Sequence, residues 1–386
     1  MTQHRLTKEL MQEAVDLVAK YGSCYLAAKA TGIASSTLQN RIDRAKLAGI
    51  KSSIPSPADF PLPPDHFAKG VSTLYDHDGK IKLQWVKSQA YLDDLKKTAE
   101  EIVSGLTIKP KNPVPAPTQN VTDLLTVYPM GDPHIGMLAL AEEAGENFDC
   151  DIAERDLNIA IDRLTLTAKP TEKALVVNLG DFFHADNQAG VTARSGHKLD
   201  VDTRKQKVLV IGVRIMTHLI DTALKKHRHV TVINEVGNHD DESSFVLSLI
   251  LEAHYKNEPR VEIDLSPATF HYYRFHKVLI GVTHGYQCKP DKLGQIMAAD
   301  RKEDWGQTDF RYWLVGHIHH TSKKEVPGCV IESFRTLAAK DAWHSATGYR
   351  SGRDMVRITY HKDYGEVGRE IVGIKEIASF QKGKEK

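Results

Sequence analysis

Cysteine is scarce in this chain. Four cysteines occur among 386 residues, and no pair of them has CxxC spacing. This pattern excludes a zinc ribbon and indicates no disulfide framework. The sequence also lacks an apolar run approaching about 18 residues, the length that a membrane-spanning helix needs, and its first residues do not have the pattern of a signal peptide. We therefore expect a cytoplasmic protein without a membrane partner.

A large net charge is absent as well. Lys and Arg number 51 and Asp and Glu number 50, which leaves a formal net charge of +1. The overall charge therefore does not indicate a partner. Locally the balance differs, because residues 1–51 hold eight basic and four acidic side chains. A local positive patch favours phosphate backbones, so the start of the chain is a candidate for nucleic-acid contact.

The sequence does contain a series of five polar clusters, each placed after a short apolar run. The clusters are residues 132–134, 180–184, 237–240, 283–285 and 316–319, and the runs before them are residues 124–128, 174–179, 230–233, 278–282 and 312–315. Runs of this kind, rich in Val, Ile and Leu and ended by Gly or Pro, are typical of buried strands. The pattern predicts an α/β fold in which five strand ends can converge on one point.

The residue types in these clusters suit a site for two divalent cations. Two ions about 3.5 to 4 Å apart need one short carboxylate between them, with imidazole nitrogens and oxygens completing each shell. Asp181 suits the bridging position, because the preceding Gly180 lets the chain turn tightly and the carboxylate face the cavity. Asn238 offers a neutral carbonyl oxygen, which binds a hard cation without adding charge. His239, beside it, is then free to meet the substrate.

Spacing supports the same interpretation. Asp132 and His134 lie two residues apart, so in extended chain both side chains point the same way and can bind one ion. The same spacing recurs in His317 and His319.

Histidine alone is weak evidence for a metal site. The chain holds 19 histidines, and a lone histidine near a strand end is more often structural or solvated than a ligand. We interpret several histidines outside the clusters in that way: His218, His227, His229, His271, His276 and His320. The ordered set of clusters, rather than any single member, favours the metal site.

The order of the motifs, DxH, GDxxH, GNHD, THG and GHxH, resembles the calcineurin-like metallophosphoesterase superfamily over about residues 121–375. The resemblance implies a four-layer α-β-β-α sandwich. It also implies that one ion is held by Asp132, His134, Asp181 and His319 and the other by Asp181, Asn238, His284 and His317. By the same resemblance, His239 stabilises the transferred phosphoryl group and protonates the leaving oxygen. Asp240 would orient that imidazole.

Two of the motifs distinguish branches of that superfamily. Phosphoprotein phosphatases carry GDxxDRG and GNHE, whereas here the second motif reads GDFFH and the third ends in Asp240. Residues 180–187 and 132–136 are most similar to the nuclease subunit of the double-strand-break repair complex and to the bacterial SbcD-type nucleases. That resemblance implies that His184 helps to place the scissile phosphate.

The start of the chain has helical periodicity over residues 7–21. A second helix is predicted over about residues 25–30, and a third from Ser35 or Ser36, both good N-caps. Ala28 followed by Gly32 resembles the turn of a helix-turn-helix over about residues 22–46. The inward face of the third helix would contain Leu38 and Ile42, and its outward face would contain Thr37, Gln39, Asn40, Arg41 and Arg44. A three-helix module for protein contacts is the alternative.

Proline-rich stretches divide the chain into predicted domains. These are a helix-turn-helix module over residues 1–50, a linker over 51–70, a connector over 71–106, a second linker over 107–120 and a catalytic domain over 121–380. We predict a hairpin turn at residues 76–79 and a helix over about residues 91–103 of the connector. Near the end of the chain, basic and aromatic residues that include Arg350 would either grip a nucleic-acid strand or form a solvated loop.

Together these patterns predict a metal-dependent phosphodiesterase that uses a hydroxide activated by two metals. We expect it to be a DNA nuclease or exonuclease, with DNA as its partner and Mn²⁺ as its metal, whereas Mg²⁺, Fe and Zn²⁺ stay open. Its domain combination is similar to proteins of phage and prophage genomes, which implies a bacterial or phage-infected host cell. A homodimer stays open. The alternatives are a small-molecule phosphodiesterase or phosphatase, acting for example on cyclic nucleotides, and a catalytically idle DNA-binding regulator.

Overall fold

The computed structural model describes residues 7–21, 23–50, 52, 66–75, 81–90, 114–187, 190–192, 196 and 198–384. The chain divides into two compact units, Met1–Leu95 and Lys96–Lys386. Within the described residues no helix is both long and apolar enough to cross a membrane.

The first unit begins with three helices around a small apolar core. The helices are α1 (Lys8–Tyr21), α2 (Cys24–Thr31) and α3 (Ser35–Leu47). Ala14, Ala27 and Leu38, one from each helix, are fully buried. The Ser23 hydroxyl caps α2 by accepting a hydrogen bond from the Leu26 amide at 3.2 Å, and Gly32 ends α2 at φ 74°. The three predicted helices and the inward position of Leu38 are confirmed.

Two details of α3 differ from the prediction. Its N-cap is Ala34, which makes no side-chain cap hydrogen bond, so Ser35 and Ser36 lie inside the helix rather than capping it. Arg41 does not face outward, because it lies three residues after Leu38 on the side of α3 that packs on α1. Its guanidinium is 3.5 Å from the carboxylate of Glu13.

A two-stranded hairpin completes the described part of the first unit. Strands β1 (His66–Tyr75) and β2 (Ile81–Ala90) pair antiparallel, from His66 opposite Ala90 to Tyr75 opposite Ile81. These strands lie on either side of the predicted turn at residues 76–79, whereas that turn and the predicted helix at 91–103 lie outside the described residues. Strand β1 starts within residues 51–70, which we predicted as linker. After the last proline of that stretch, Pro64, every backbone amide is available for a strand ladder.

The second unit contains two mixed sheets. Its strands are β3 (Val121–Met130), β4 (Thr171–Asn178), β5 (His229–Asn234), β6 (Val261–Ile263), β7 (His271–Phe275), β8 (Val278–Thr283), β9 (Phe310–Val315), β10 (Ser322–Val326), β11 (Cys329–Ser333), β12 (Asp354–His361) and β13 (Gly365–Gly373). The six-stranded sheet has the order β13-β12-β3-β4-β5-β6, and the five-stranded sheet has the order β10-β11-β9-β8-β7. The five predicted apolar runs are β3, β4, β5, β8 and β9.

The described part of the second unit also contains eight α-helices. They are α4 (Ala141–Ala144), α5 (Cys150–Leu166), α6 (Lys205–Lys226), α7 (Asp241–Tyr255), α8 (Leu293–Asp300), α9 (Lys302–Gln307), α10 (Ala342–Ala346) and α11 (Ile374–Lys384), with a 3₁₀ turn at Pro290–Lys292. Helices α6 and α7 pack on the six-stranded sheet. On the other side, Leu293 and Met297 of α8 pack against Leu279 and Trp313 of the five-stranded sheet.

The main core lies between the two sheets. Val127 and Leu175 of the six-stranded sheet pack with Ile280 and Leu314 of the five-stranded sheet, and all four are at most 1% exposed. Because strands β8 and β9 have helices on one face and a sheet on the other, they read as continuous apolar runs. The predicted four-layer α-β-β-α sandwich is confirmed.

A buried histidine joins the end of α6 to the six-stranded sheet. The Nε2 atom of His227 is 2.8 Å from the Tyr128 hydroxyl on β3, and its Nδ1 atom is 2.7 Å from the Thr171 hydroxyl on β4. The ring is fully buried. Burial, with smaller effects of Lys226 and Arg357, lowers the pKa of His227 to about 3. The interpretation of His227 as a structural residue agrees with these contacts.

We expect His227 to make the fold sensitive to acid. In the unfolded chain its pKa returns to about 6.5, so above that pH the ring is neutral in both states and its contribution to stability is complete. As the pH falls from 6.5 toward 3, the unfolded state takes up the proton first and stability is lost. This group should remove roughly 2 kcal/mol between about pH 8 and about pH 5. Urea unfolding of His227→Gln should show a smaller pH dependence than the wild type, whereas His229→Gln, whose ring is 48% exposed, should not.

Candidate metal centre

The predicted ligands share an unusual backbone conformation. Five of them have left-handed backbone angles: Asp132 (φ 41°), His134 (φ 47°), Asp181 (φ 49°), His317 (φ 71°) and His319 (φ 53°). Among the other described non-glycine residues, His276 alone has positive φ. Such angles are costly for residues with a side chain, and they cluster where function requires a fixed side-chain direction. The loops after β3, β4 and β9 therefore hold these side chains in strained, inward-facing positions.

Glycines allow the loops to approach one another closely. A Cβ atom at Gly237 would lie 2.0 Å from Asp181 Oδ1, and one at Gly316 would lie 2.6 Å from the Leu179 carbonyl oxygen. Gly180 has φ 92°, and its α-carbon faces the ring of His284. The role predicted for Gly180, a tight turn before the carboxylate, agrees with this geometry.

One group of donor atoms consists of Asp132, His134 and His319, whose candidate ligand atoms lie within 4.8 Å of one another. The Nε2 atoms of His134 and His319 are 3.1 Å apart. Asp132 is completely buried, and its two carboxylate oxygens each accept a hydrogen bond from the His317 amide at 3.0 Å. The loop after β9 therefore both contributes a ligand candidate and orients Asp132.

A second group consists of Asp181, His284 and His317, again within 4.8 Å. His284 Nε2 is 3.2 Å from Asp181 Oδ2 and 3.1 Å from Asn238 Oδ1. His284 Nδ1 donates to the Leu179 carbonyl at 2.8 Å, since a carbonyl can only accept. That hydrogen bond fixes the tautomer when His284 is neutral, and leaves the Nε2 lone pair directed at the site.

The two groups adjoin each other. His284 Nδ1 lies 3.5 Å from Asp132 Oδ1, while its Nε2 faces Asp181. For a bond length of about 2.1 Å, neighbouring ligands of an octahedral ion are separated by about 3.0 Å. The separations of 3.1 Å between His134 and His319 and 3.2 Å between His284 and Asp181 are of this size. The donor set of carboxylates, imidazoles and one amide oxygen also fits divalent cations.

Burial and mutual charge shift the pKa values of these groups. Burial raises the pKa of Asp132, against the opposing charge of His284. Burial also acts to raise the pKa of Asp181, but the charge and hydrogen bond of His284 outweigh it, so the pKa is lowered. For His284 itself burial acts downward, yet the charge of Asp181 raises its pKa to about 10. The carboxylates thus occupy a dry site that favours a compensating positive charge.

His239 and His184 form a third group with His134. The ring of His239 stacks on that of His184 at a centroid distance of 5.4 Å. Its Nδ1 donates to the His184 carbonyl at 2.8 Å, and its amide donates to Asp181 Oδ1 at 2.9 Å. His184 Nδ1 is 3.2 Å from His134 Nδ1. The structure therefore brings the predicted catalytic imidazole next to the predicted bridging carboxylate.

Asp240 has different partners from those we expected. Its carboxylate accepts hydrogen bonds from the amides of Gly237 at 2.8 Å and Phe183 at 2.9 Å, and from the Ser244 hydroxyl at 2.5 Å. The imidazole of His239 is oriented by the His184 carbonyl instead. Through the amides of Phe183 and Gly237, Asp240 joins the loop after β4 to the loop after β5. It positions two loops rather than one ring.

The site opens into a cavity of about 380 Å³. Besides the predicted ligands and His239, its lining includes Thr192, Lys198, Leu199, Asp200, Ile318, Asp341 and Tyr349. Thr192, Asp200 and Asp341 belong to none of the five motifs. Only the approach of distant segments places them at the cavity.

The residues predicted to contact nucleic acid are far apart in the sequence, and they belong to both units. In α3, Gln39, Asn40 and Arg44 are exposed, and Gln39 donates to Asp43 at 3.0 Å. In the second unit, Arg350 is exposed and its guanidinium bonds the carbonyl of Tyr349 at 2.7 Å. Tyr349 itself lines the site cavity. Arg350 thus lies next in sequence to the cavity wall.

The chain matches no protein-family model and none of the curated proteins with which it was compared. It is similar to several solved structures. A predicted phosphoesterase from Streptococcus pneumoniae is 11% identical over 66% of this chain and 99% of its own, with a TM-score of 0.27. An archaeal phosphodiesterase is 14% identical over 64% and 99%, with a TM-score of 0.35. A dimetal phosphatase from Danio rerio is 10% identical over 68% and 99%, with a TM-score of 0.36.

The close approach at Gly237 yields a testable expectation for metal affinity. In Gly237→Ala the new methyl group must displace Asp181, which lies 2.0 Å away. Displacing a predicted ligand should weaken metal binding by about 10- to 100-fold. Gly306→Ala is the matched control, since nothing lies within 4 Å of a Cβ atom there. Calorimetric titration with Mn²⁺ measures the affinities, and wild-type affinity in a folded Gly237→Ala protein would contradict this reading of the site.

Proposed function

We propose that the second unit is a metal-dependent phosphodiesterase of the calcineurin-like type, and that it cleaves nucleic acid. The observation that carries the proposal is the adjacency of two donor groups, Asp132 with His134 and His319, and Asp181 with His284 and His317. Asn238 adds an oxygen to the second group, and His239 lies beside both.

Two divalent cations, when bound there, supply a nucleophilic water at neutral pH and neutralise charge on the phosphate oxygens. The protein's own residues position the donor atoms. Within the second group, Asp181 lies close to His284, and it accepts a hydrogen bond from the His239 amide. The Leu179 carbonyl holds His284 in the tautomer that presents Nε2. Manganese suits such a mixed N/O donor set, as do magnesium, iron and zinc.

His239 is the proton donor in this proposal. Because its Nδ1 hydrogen is held by the His184 carbonyl, a second proton would reside on Nε2, and His239 lines the cavity. From there a protonated ring stabilises negative charge on the phosphoryl group and transfers its proton to the departing oxygen. His184, stacked on it, keeps that ring in place.

Substitution of His239 separates chemistry from metal binding. His239→Ala should lower kcat by about 10²- to 10⁴-fold, because the leaving oxygen loses its proton donor, while bound Mn²⁺ per chain stays at the wild-type value. Turnover of a bis-aryl phosphodiester and elemental analysis of the purified protein measure the two quantities. His218 is a half-buried histidine on α6 that pairs with Asp162, and His218→Ala should change neither. A His239→Ala protein that loses metal but regains full turnover with added Mn²⁺ would overturn the assignment.

The choice of nucleic acid as substrate rests on three sequence features and one structural feature. The GDFFH motif resembles that of SbcD-type nucleases, the third motif ends in Asp240 rather than Glu, and residues 1–51 carry excess positive charge. The first unit begins with a three-helix bundle that exposes Gln39, Asn40 and Arg44. We infer that this bundle binds DNA and delivers the catalytic unit to it.

A substrate panel distinguishes this proposal from its rivals. With Mn²⁺, the protein should cleave linear single-stranded or double-stranded DNA as well as the bis-aryl ester. Turnover of cyclic nucleotides and the aryl ester with DNA intact would instead indicate a small-molecule phosphodiesterase. Intact substrates throughout, together with DNA binding in a mobility-shift assay, would indicate a regulator. Chelation with EDTA should abolish every activity in the panel.

A further inference from the structure

A second cavity lies beside the metal site. Its volume is about 520 Å³, within the range of about 300 to 1,000 Å³ typical of ligand pockets. Three cationic residues line it, Arg204, Lys205 and Lys207, together with polar Asn187, Thr203 and Gln206 and apolar Ile135, Gly136, Ala185, Val201 and Val208. No acidic side chain occurs among the described residues of the lining. We call this space the basic cavity.

The basic cavity and the metal-site cavity are built from the same chain segments. Ile135 and Ala185 line the basic cavity and directly follow His134 and His184 of the metal centre. Residues 198–200 line the metal-site cavity, and residues 201–208, apart from 202, line the basic cavity. Consecutive Cα atoms are about 3.8 Å apart. The basic cavity therefore begins one residue away from the metal centre along two segments, and one residue away from the metal-site cavity along a third.

The cations of the basic cavity lie at the start of α6, where positive charge destabilises the helix. Helix α6 has no acidic residue in its first turn, and its N-cap Arg204 makes no side-chain cap hydrogen bond. Positive charge is unfavourable at a helix N-terminus, and Arg204 and Lys207 lie there three residues apart. Neither pairs with a carboxylate among the described residues. Farther along the same helix, Arg214 is paired with Glu154 at 2.5 Å.

The start of α7 provides a contrast within the same unit. Its first turn carries Asp241 and Glu242. Asp186 adds a third carboxylate there, since it accepts the amides of Glu242 and Ser243 at 2.9 Å each. That arrangement is the stabilising one for a helix N-terminus. The opposite charge pattern at α6 is a local conflict of the kind found where a ligand is bound.

We propose that the basic cavity binds a second phosphate of a polynucleotide strand, next to the phosphodiester held at the metal centre. The inference rests on the proposed function and makes its substrate class more specific, since a substrate must carry phosphates in series to reach both places. Arg204 and Lys207 would contact the phosphate through charge-assisted hydrogen bonds, and the free amides at the start of α6 would face it.

Lys205 has a separate role in this arrangement. Its ammonium group donates to the Ala185 carbonyl and lies 4.6 Å from the centre of the Phe183 ring. It therefore joins the start of α6 to the loop that carries His184, so its replacement would disturb the metal centre. Arg204 and Lys207 are the suitable positions for a test.

The test measures binding and turnover separately in the full-length protein. For Arg204→Ala/Lys207→Ala, the Kd of a short single-stranded oligothymidylate, measured in EDTA by fluorescence anisotropy, should rise by about tenfold. With Mn²⁺, KM for the same oligonucleotide should rise, while kcat/KM for the bis-aryl phosphodiester stays at the wild-type value. Lys225→Ala/Lys226→Ala removes the same charge from the other end of α6 and should change neither quantity.

A stability measurement distinguishes a ligand site from a structural one. Arg204→Glu/Lys207→Glu should raise the melting temperature, since carboxylates are favourable at a helix N-terminus, and should weaken oligothymidylate binding further than the alanine pair. A lowered melting temperature with unchanged binding would show that the two cations support the fold, and would overturn the proposal.

The remaining outcomes also decide the matter. Equal oligothymidylate affinity in the wild type and the alanine pair would refute the second-phosphate site while leaving the phosphodiesterase proposal intact. Loss of aryl-ester turnover in the alanine pair would assign these residues to the metal centre and refute it too. A wild type that hydrolyses no phosphodiester would refute the proposed function, and the difference in EDTA binding between the wild type and the alanine pair would then still report on the basic cavity.

Discussion

The contact between the Gly237 backbone and the Asp181 carboxylate is the constraint on which the site depends. Asp181 lies in the loop after β4 in a left-handed conformation, and the loop after β5 passes so close that a single methyl group at Gly237 would collide with it. His284, from the second sheet, closes the carboxylate from the other side. The relative position of the two sheets therefore determines where the Asp181 carboxylate lies.

Packing in the rest of the sandwich offsets the free energy that this arrangement costs. Left-handed backbone at five ligand candidates and carboxylates in a dry environment both raise the free energy of the folded state. The dense core between the sheets and the helices packed on their outer faces offset that cost. The basic cavity shows the same kind of local destabilisation on a smaller scale, because the start of α6 carries positive charges that weaken the helix. Strained backbone and helix-weakening cations thus occur in neighbouring parts of the second unit, where the chemistry is proposed.

Several elements could be predicted from sequence because their signal is local. The runs before the five clusters became β3, β4, β5, β8 and β9, since continuous Val, Ile and Leu suit strands buried on both faces. The helix predicted over residues 7–21 is α1, with its start at Lys8. Predictions of cap and boundary were less accurate. The cap of α3 is Ala34, and β1 starts inside the expected linker, because backbone hydrogen bonding decides such ends and leaves little trace in residue type.

By itself, the sequence determined which residue types follow which strands, and therefore the chemistry that the site can perform. Motif spacing is local, so ligand candidates on a single loop, such as Asp132 and His134, could be paired in advance. Only the tertiary structure decided the contacts between loops. In that structure the Asp240 carboxylate accepts hydrogen bonds from two backbone amides and does not orient His239. Three cationic residues also line a cavity next to the metal centre. Such contacts join residues far apart in the chain, and packing of the two sheets, not local pattern, brings them together.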